Sequence, residues 1–333
     1  MSNASLKRYT SVDCPPNALA GERLAVLGYG NLGRSFAQNL RDAGVCITIG
    51  NIEDTYADKA RADGFTVAGI AAACKGADVV LVLLPDEIIP EVFAAQIEPN
   101  LANGSALLFA SGYCLAYRLV TAGAGIDALM LAPRMGGETI RQRYVDKQGY
   151  NAFISVEQDC SGKAWRRLLG VANAVGALQA GAFELGAQTE ANLDLFIEQT
   201  LGAAIGAAVM SAFSVGVEQG LPAEALALEM YMSGEMESVW QGFRTEGFRN
   251  SATTHGPTAM FGGMLRTMQL FQVGLEEQFR QTFEEIRSGQ FAERFNAERE
   301  AGYPLLSKVA AMNAQLDPLG EAEALMRGCL KKK

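Results

Sequence analysis

The chain is short of histidine, of basic charge and of paired cysteine motifs, and each shortage removes a class of function. Its 333 residues hold a single histidine, His255. A zinc site built from several imidazoles is therefore disfavoured, as is a nucleophilic serine relayed through a neighbouring histidine. Acidic residues outnumber basic ones to give a formal net charge of −9, which argues against nucleic acid and anionic membrane as partners. The six cysteines (Cys14, Cys46, Cys74, Cys114, Cys160 and Cys329) form no Cys-x-x-Cys pair. They read as reduced, mostly buried thiols of a cytoplasmic protein. The first residues are polar, so no signal-peptide core is expected. One charge-free stretch, Gln199 to Val217 between Glu198 and Glu218, approaches the length of a membrane span. Its Gly, Ala and Ser content predicts a helix buried in a protein core instead.

What is present begins with Leu24-Ala25-Val26-Leu27-Gly28-Tyr29-Gly30-Asn31-Leu32-Gly33, an apolar strand running into a Gly-x-Gly-x-x-Gly turn. Gly28 suits the tight turn, Gly30 lets a pyrophosphate approach the backbone, and Gly33 lets the following helix sit close to the strand. Tyr29, Asn31 and Leu32 complete the loop around that anion, which lies at a helix N-terminus where N–H groups are free. The run after it is amphipathic, with Phe36, Leu40 and Ala43 against Arg34, Gln38 and Arg41, and a second strand follows at Val45–Ile49.

From Glu22 to about Ala180 short apolar runs alternate with helical patterns. Strands are expected at Leu24–Leu27, Cys46–Ile49, Val79–Leu84, Ala106–Phe109, Ala128–Ala132 and Asn151–Val156. That rhythm predicts an α/β fold with a doubly wound parallel sheet. The unbroken run Val79–Leu84 suits a central strand buried on both faces. Leu84, Pro85 and Asp86 fall at its carboxyl edge, where cofactors bind in such folds. After Phe183 strand signals stop and helical segments dominate. The organisation expected is a lead-in over 1–20, a Rossmann dinucleotide-binding domain over 21–182 and an all-helical substrate and dimerisation domain over 183–329.

Three passages together resemble the ketol-acid reductoisomerase family in its short form. They are Leu27-Gly28-Tyr29-Gly30 with Asn39–Gly44, Leu83-Leu84-Pro85-Asp86-Glu87 with Ile97–Leu101, and Asp194-Leu195-Phe196-Ile197-Glu198-Gln199. A weaker echo runs from Ile286 to Ala292. The resemblance implies a Rossmann domain followed by an all-α domain that intertwines, or knots, with its partner in a homodimer. It also implies two Mg²⁺ ions held by carboxylates while an alkyl group migrates, followed by hydride transfer from a reduced nicotinamide. Hard cations of this kind take oxygen ligands. Asp194 and Glu198 match the first two metal ligands of the family, and Glu229 the third.

The chain departs from the family pattern at four positions. Ser233 stands where the fourth metal-ligand Glu is expected, and Ser111, in Ala110-Ser111-Gly112-Tyr113, replaces the active-site His. Arg134, in Ala132-Pro133-Arg134, replaces a Lys, and Glu138 replaces a second His. Hydroxyl for carboxylate weakens a metal site, and Arg for Lys exchanges a point charge for a planar fork. The expectation is an NAD(P)H-dependent oxidoreductase that reduces a small carboxyl-bearing carbonyl substrate, with alkyl migration in doubt. Three other readings stay open. They are an authentic Mg²⁺-dependent ketol-acid reductoisomerase acting on 2-acetolactate, a metal-free 2-oxo-acid or imine reductase, and a non-catalytic nucleotide-sensing dimer.

Individual residues carry paired readings. Asp194 and Glu198 lie four apart on one helical face, which reads either as a solvated face or, since it enters an apolar run, as carboxylates that need a metal or a cation such as Arg134 or Arg141. Arg134 follows a strand end and suits either a bidentate grip on a substrate carboxylate or a structural ion pair. Ser111 suits a hydrogen bond to cofactor or substrate. His255 is either a plain loop residue or a general acid. In Gly50-Asn51-Ile52-Glu53-Asp54-Thr55-Tyr56, Ile52 occupies the place of an Arg in NADPH-using members. Asn51, Glu53 and Asp54 are expected at the ribose, where acidic groups accept from a 2′-OH and repel a phosphate. That favours NAD(H) over NADP(H), although Arg61 or Lys59 lies within reach of a phosphate.

Overall fold

The structure, a computed structural model, describes residues 5–251, 256–313 and 317–330. His255 lies outside the described residues. The chain divides into two compact units, Met1–Leu193 and Asp194–Lys333.

The first unit carries one sheet of nine strands: β1 (Arg8–Tyr9), β2 (Leu24–Leu27), β3 (Ile47–Gly50), β4 (Val67–Ala68), β5 (Val79–Val82), β6 (Ala106–Phe109), β7 (Asp127–Pro133), β8 (Ala152–Gln158) and β9 (Ala182–Glu184). Their spatial order is β1-β9-β8-β7-β6-β5-β2-β3-β4. All four residues of β2, β5 and β6 are buried, as strands covered on both faces require. From β2 the chain builds outward through β3 and β4, then returns to place β5 on the other side. This reversal opens a crevice at the carboxyl ends of β2 and β5, the usual ligand position in open α/β sheets.

The sheet is the expected doubly wound parallel one from β4 through β7, and it is mixed beyond that point. β8 runs antiparallel to β7, and β1 runs antiparallel to β9. The helix between β7 and β8 explains the first reversal. Its Arg141 donates to Asn39 and Asp42 of the helix that follows β2, and Pro133 of β7 pairs with Ala152 of β8. The helix therefore packs beside its neighbour without crossing the sheet, and β8 begins where β7 ends. The lead-in is also more than a lead-in. Tyr9 of β1 stacks on Trp165 at 5.2 Å, and its hydroxyl donates to Glu184 Oε2 at 2.7 Å.

Helices of the first unit are α1 (Asn31–Asp42), α2 (Thr55–Ala62), α3 (Ile70–Cys74), α4 (Ile89–Val92), α5 (Tyr113–Ala116), α6 (Gly137–Val145), α7 (Ala164–Ala174) and α8 (Ala177–Ala180). α9 (Ala187–Ile197) follows β9. The turn from β2 into α1 depends on two close approaches. Gly28 has φ +89°, and a Cβ there would stand 2.6 Å from Leu83 O; a Cβ on Gly33 would stand 2.1 Å from Gly28 O. Only glycine satisfies both.

In the second unit the described residues form α10 (Ala203–Glu218), α11 (Ala223–Ala227), α12 (Glu235–Glu246), α13 (Phe248–Ser251), α14 (Pro257–Gln272), α15 (Leu275–Arg287), α16 (Gln290–Glu300), α17 (Pro304–Asn313) and α18 (Pro318–Leu330). Wide π turns at Glu198–Gly202 and Leu228–Met232 interrupt the regular helices. The charge-free run is helical, but only 17% of its apolar window is buried, which corrects the expectation of a core helix. Ile205, Met210 and Val215 of α10 are exposed, as are Phe261, Met264 and Phe271 of α14. The thiols are also less buried than expected, since Cys46, Cys160 and Cys329 are exposed.

One buried ionic cluster fastens α7 under the sheet. Arg167, only 4% exposed, donates to Glu22, Asp127 and Gly104 O, and Asp127 also accepts from Ser161 and the Cys160 N–H. Removing one partner strands a buried charge. Arg167→Ala is expected to cost about 4 kcal/mol and lower Tm by about 10 °C, measurable by a thermal melt. A change under about 2 °C would show that the cluster is not a fastening.

Candidate active site

A cavity of about 610 Å³ lies at the carboxyl edge of β2, β5 and β6. Its floor is the Gly28–Gly33 turn and the N-terminus of α1. No side chain caps that terminus, because Gly30 is the N-cap, so its orphan N–H groups suit an anion. A Cβ built on Gly30 would meet nothing within 4 Å. That open face suits the approach of a diphosphate to the backbone, and on this ground the residues fit a dinucleotide. Tyr29, Asn31 and Leu32 line the same cavity, as do Leu84, Pro85 and Asp86.

At the ribose edge the expected residues separate into different tasks. Asn51 is buried and serves the loop itself: Oδ1 accepts from Tyr29 N at 3.3 Å, while Nδ2 donates to Ile52 O and to Asp54 Oδ1. Asp54 caps α2, accepting from the Tyr56 and Ala57 N–H groups at 2.9 Å each, and it lines the cavity. Glu53 does not line it. Its side chain is 76% exposed and pairs with Arg61 at 2.6 Å, and that guanidinium holds the Glu53 carboxyl below the ordinary range. Arg61 is bound a second time by Asp58 at 3.3 Å. Lys59 lies over the Tyr56 ring at 5.1 Å.

At the other end, Ser111 lines the cavity and its Oγ accepts from Tyr113 N at 3.1 Å. Cys114 Sγ lies 3.6 Å from Asp86 O, and burial, with Asp86 beside it, pushes its thiol far above the ordinary range. It therefore stays protonated and is no nucleophile. Arg134 NH1 donates to Glu190 Oε1 at 2.7 Å, and Gly112 N donates to Glu190 Oε2 at 2.7 Å. The Arg134 guanidinium lies 5.4 Å from the centre of the Phe153 ring, a geometry that favours the cation. Glu190, with a side chain 2% exposed, thus joins the loops after β6 and β7. The sequence reading passed over it. The available signal was the series Glu190, Asp194, Glu198, which repeats every four residues along one helical face. Arg141, a second cation considered for the carboxylates, pairs with Asp42 at 2.6 Å.

Asp194 lies near the end of α9, Glu198 opens the first π turn, and Glu229 lies in the second. Such turns recur at functional positions. The oxygen donors suit Mg²⁺, but among the described residues no three His, Cys, Asp or Glu side chains come together as a metal group. Within one chain the three carboxylates are therefore not brought to one point, and no step is assigned to a metal. Ser233 ends the second π turn, and its Oγ accepts from Glu235 N at 3.3 Å. Glu138 N donates to Asn31 Oδ1 at 3.1 Å, which fastens α6 to the glycine turn.

Comparison with known proteins gives consistent matches along the chain. Residues 18–181 match the family model of the acetohydroxy acid isomeroreductase NADPH-binding domain, and residues 188–330 that of the ketol-acid reductoisomerase C-terminal domain. The chain is 33% identical to the ketol-acid reductoisomerase (NADP(+)) of Caldivirga maquilingensis over 95% of this chain and 96% of that protein. It is 35% identical to the ketol-acid reductoisomerase (NAD(P)(+)) of Metallosphaera sedula over 91% and 90%. The structure of an NADH-preferring ketol-acid reductoisomerase from an uncultured archean superposes with a TM-score of 0.91 at 28% identity, covering 97% of this chain and 99% of that one. A semialdehyde dehydrogenase NAD-binding protein from Cupriavidus necator, with a TM-score of 0.60 at 20% identity over 80% and 99%, shares the fold alone.

The buried carboxylate yields a direct test. Glu190→Ala deprives Arg134 and Gly112 of this acceptor and is expected to cost about 3 kcal/mol. Glu190→Gln, which keeps one amide oxygen, is expected to cost about half as much. Equal melting curves for both variants and the parent would contradict the assignment.

Proposed function

The chain belongs to the ketol-acid reductoisomerase family and is an NAD(P)H-dependent oxidoreductase; from that premise we propose that it is an NADH-preferring reductase of a small, carboxyl-bearing carbonyl compound. The observation that carries the reading is the Arg134–Glu190 pair, which the Gly112 N–H joins to the loop of Ser111, where the family pattern has a Lys and a His. A guanidinium fixed by a buried carboxylate and a ring presents a planar, permanent charge suited to a substrate carboxylate. Its role in this reading is to bind and orient the substrate carboxylate. Ser111 Oγ supplies a short-range hydrogen bond near the same end of the cavity. The reduced nicotinamide, when bound, supplies a hydride to the carbonyl carbon.

Three observations support NADH over NADPH. Asp54 lines the ribose edge, Ile52 stands at the Arg position, and Arg61 is engaged by Glu53 and Asp58. Asp194 and Glu198 are the residues we assign to Mg²⁺ if a metal takes part, with Glu229 as third donor. The exposed apolar faces of α10 and α14 support a homodimer formed through the helical unit. Size-exclusion chromatography with light scattering should then give twice the chain mass. The acidic net charge supports a small molecule over nucleic acid or membrane as partner, and we place the protein in the cytoplasm.

A second reading, alkyl migration retained, is favoured by the full-length match to named ketol-acid reductoisomerases. One assay separates the two. Loss of reduced-nicotinamide absorbance is followed with 2-acetolactate, using NADH and NADPH separately, each with Mg²⁺ or a chelator. Our reading gives no Mg²⁺-dependent turnover of 2-acetolactate, and on any accepted substrate a kcat/KM at least about tenfold higher with NADH. Mg²⁺-dependent turnover would establish the second reading.

A further inference from the structure

Tyr29 is the only side chain between two glycines of the cofactor turn, and it is 1% exposed. Its contacts run to both ends of α2. At the N-terminal end its N–H donates to Asn51 Oδ1, and Asn51 in turn donates to Asp54, the cap of α2. At the C-terminal end its hydroxyl donates to Oδ2 of Asp63 at 2.8 Å, and Asp63 is the residue that closes α2. The ring packs edge-on to Phe65 at 5.7 Å.

Asp63 serves more than Tyr29. Its carboxylate accepts from Arg34 Nε at 2.8 Å and Gln38 Nε2 at 3.3 Å, and its carbonyl oxygen accepts from Arg41 NH1 at 2.6 Å. Three successive exposed turns of α1 are thus tied to one residue at the far end of α2. A Gly-x-Gly segment on its own has wide backbone freedom, and a binding loop that must be ordered by its ligand loses affinity. We infer that α2 is a brace for dinucleotide binding and that Asp63, through Tyr29 and Arg34, is a positioning residue for the diphosphate loop. Asp63 lines neither the cofactor cavity nor the polar pocket beside α1 that Arg34 helps to line, so it acts through other residues. The same brace couples the two halves of the site. Whatever moves Asp54 at the ribose edge also moves the support of Tyr29.

The test uses the full chain and two variants, Asp63→Asn and Tyr29→Phe, with ADP binding measured by calorimetry and NADH binding by nicotinamide fluorescence. Each variant is expected to weaken both ligands by about five- to tenfold, the size of one net hydrogen bond. The double variant should be little worse than either alone, because both cut the same link. For Asp63→Asn the KM for NADH should rise by the same factor with kcat retained, a split that general loss of structure would not give. Tyr29→Phe keeps the ring against Phe65 and decides the matter if Asp63→Asn does not fold. Folded variants binding ADP within twofold of the parent would overturn the brace while leaving the dinucleotide site intact. A parent chain that binds neither ADP nor NADH would overturn the cofactor reading itself, and the brace with it.

Discussion

A carboxylate with almost no access to water holds the reactive end of this molecule together. A guanidinium and a backbone N–H both donate to Glu190, and such partners matter because an uncompensated buried charge costs several kcal/mol. Satisfying it draws together the loop after β6, with Ser111 and Gly112, and the loop after β7, with Arg134. Those loops sit at neighbouring strand ends, so one buried charge ties Arg134 to the loop whose Ser111 lines the cofactor cavity. The opposite end of the cavity is set by backbone geometry instead, through the contacts of Gly28 and Gly33.

The two ends tolerate change differently. The glycine turn admits no side chain at its close approaches. The other end is built from side chains, with Ser111 lining the cavity and Arg134 paired with Glu190. Arg for Lys is coherent with its surroundings, because the fork is seated between Glu190 and the Phe153 ring. Ser233 is equally settled as a turn-closing residue at the start of α12. Both residues thus have local partners within this chain.

The sequence disclosed what short-range rules govern. β2, the glycine turn, α1 and β5 were legible because apolar runs and glycine spacing dictate them locally. β1 and β9 were not, being two and three residues long and defined only by their pairing. The direction of β8 was hidden because it follows from α6 packing on α1, a contact between residues a hundred positions apart. Glu53 and Asp54 look alike in sequence, yet one is an exposed ion-pair partner and the other a helix cap at the cavity. Glu190 was overlooked although its spacing to Asp194 was visible, because its partners lie in distant loops. The apolar run after Glu198 reads as core in sequence, yet most of it is exposed in the single chain.

Under the proposed function, reduction is retained while the preceding rearrangement is not. This is tested most directly by supplying the rearranged acid, 3-hydroxy-3-methyl-2-oxobutanoate, alongside 2-acetolactate and following NADH oxidation with each. This acid is a carboxyl-bearing carbonyl that needs only hydride transfer. The account predicts oxidation of NADH with the rearranged acid and none with 2-acetolactate. Turnover of 2-acetolactate at a comparable rate, or failure to reduce the rearranged acid by a chain that binds NADH, would contradict it.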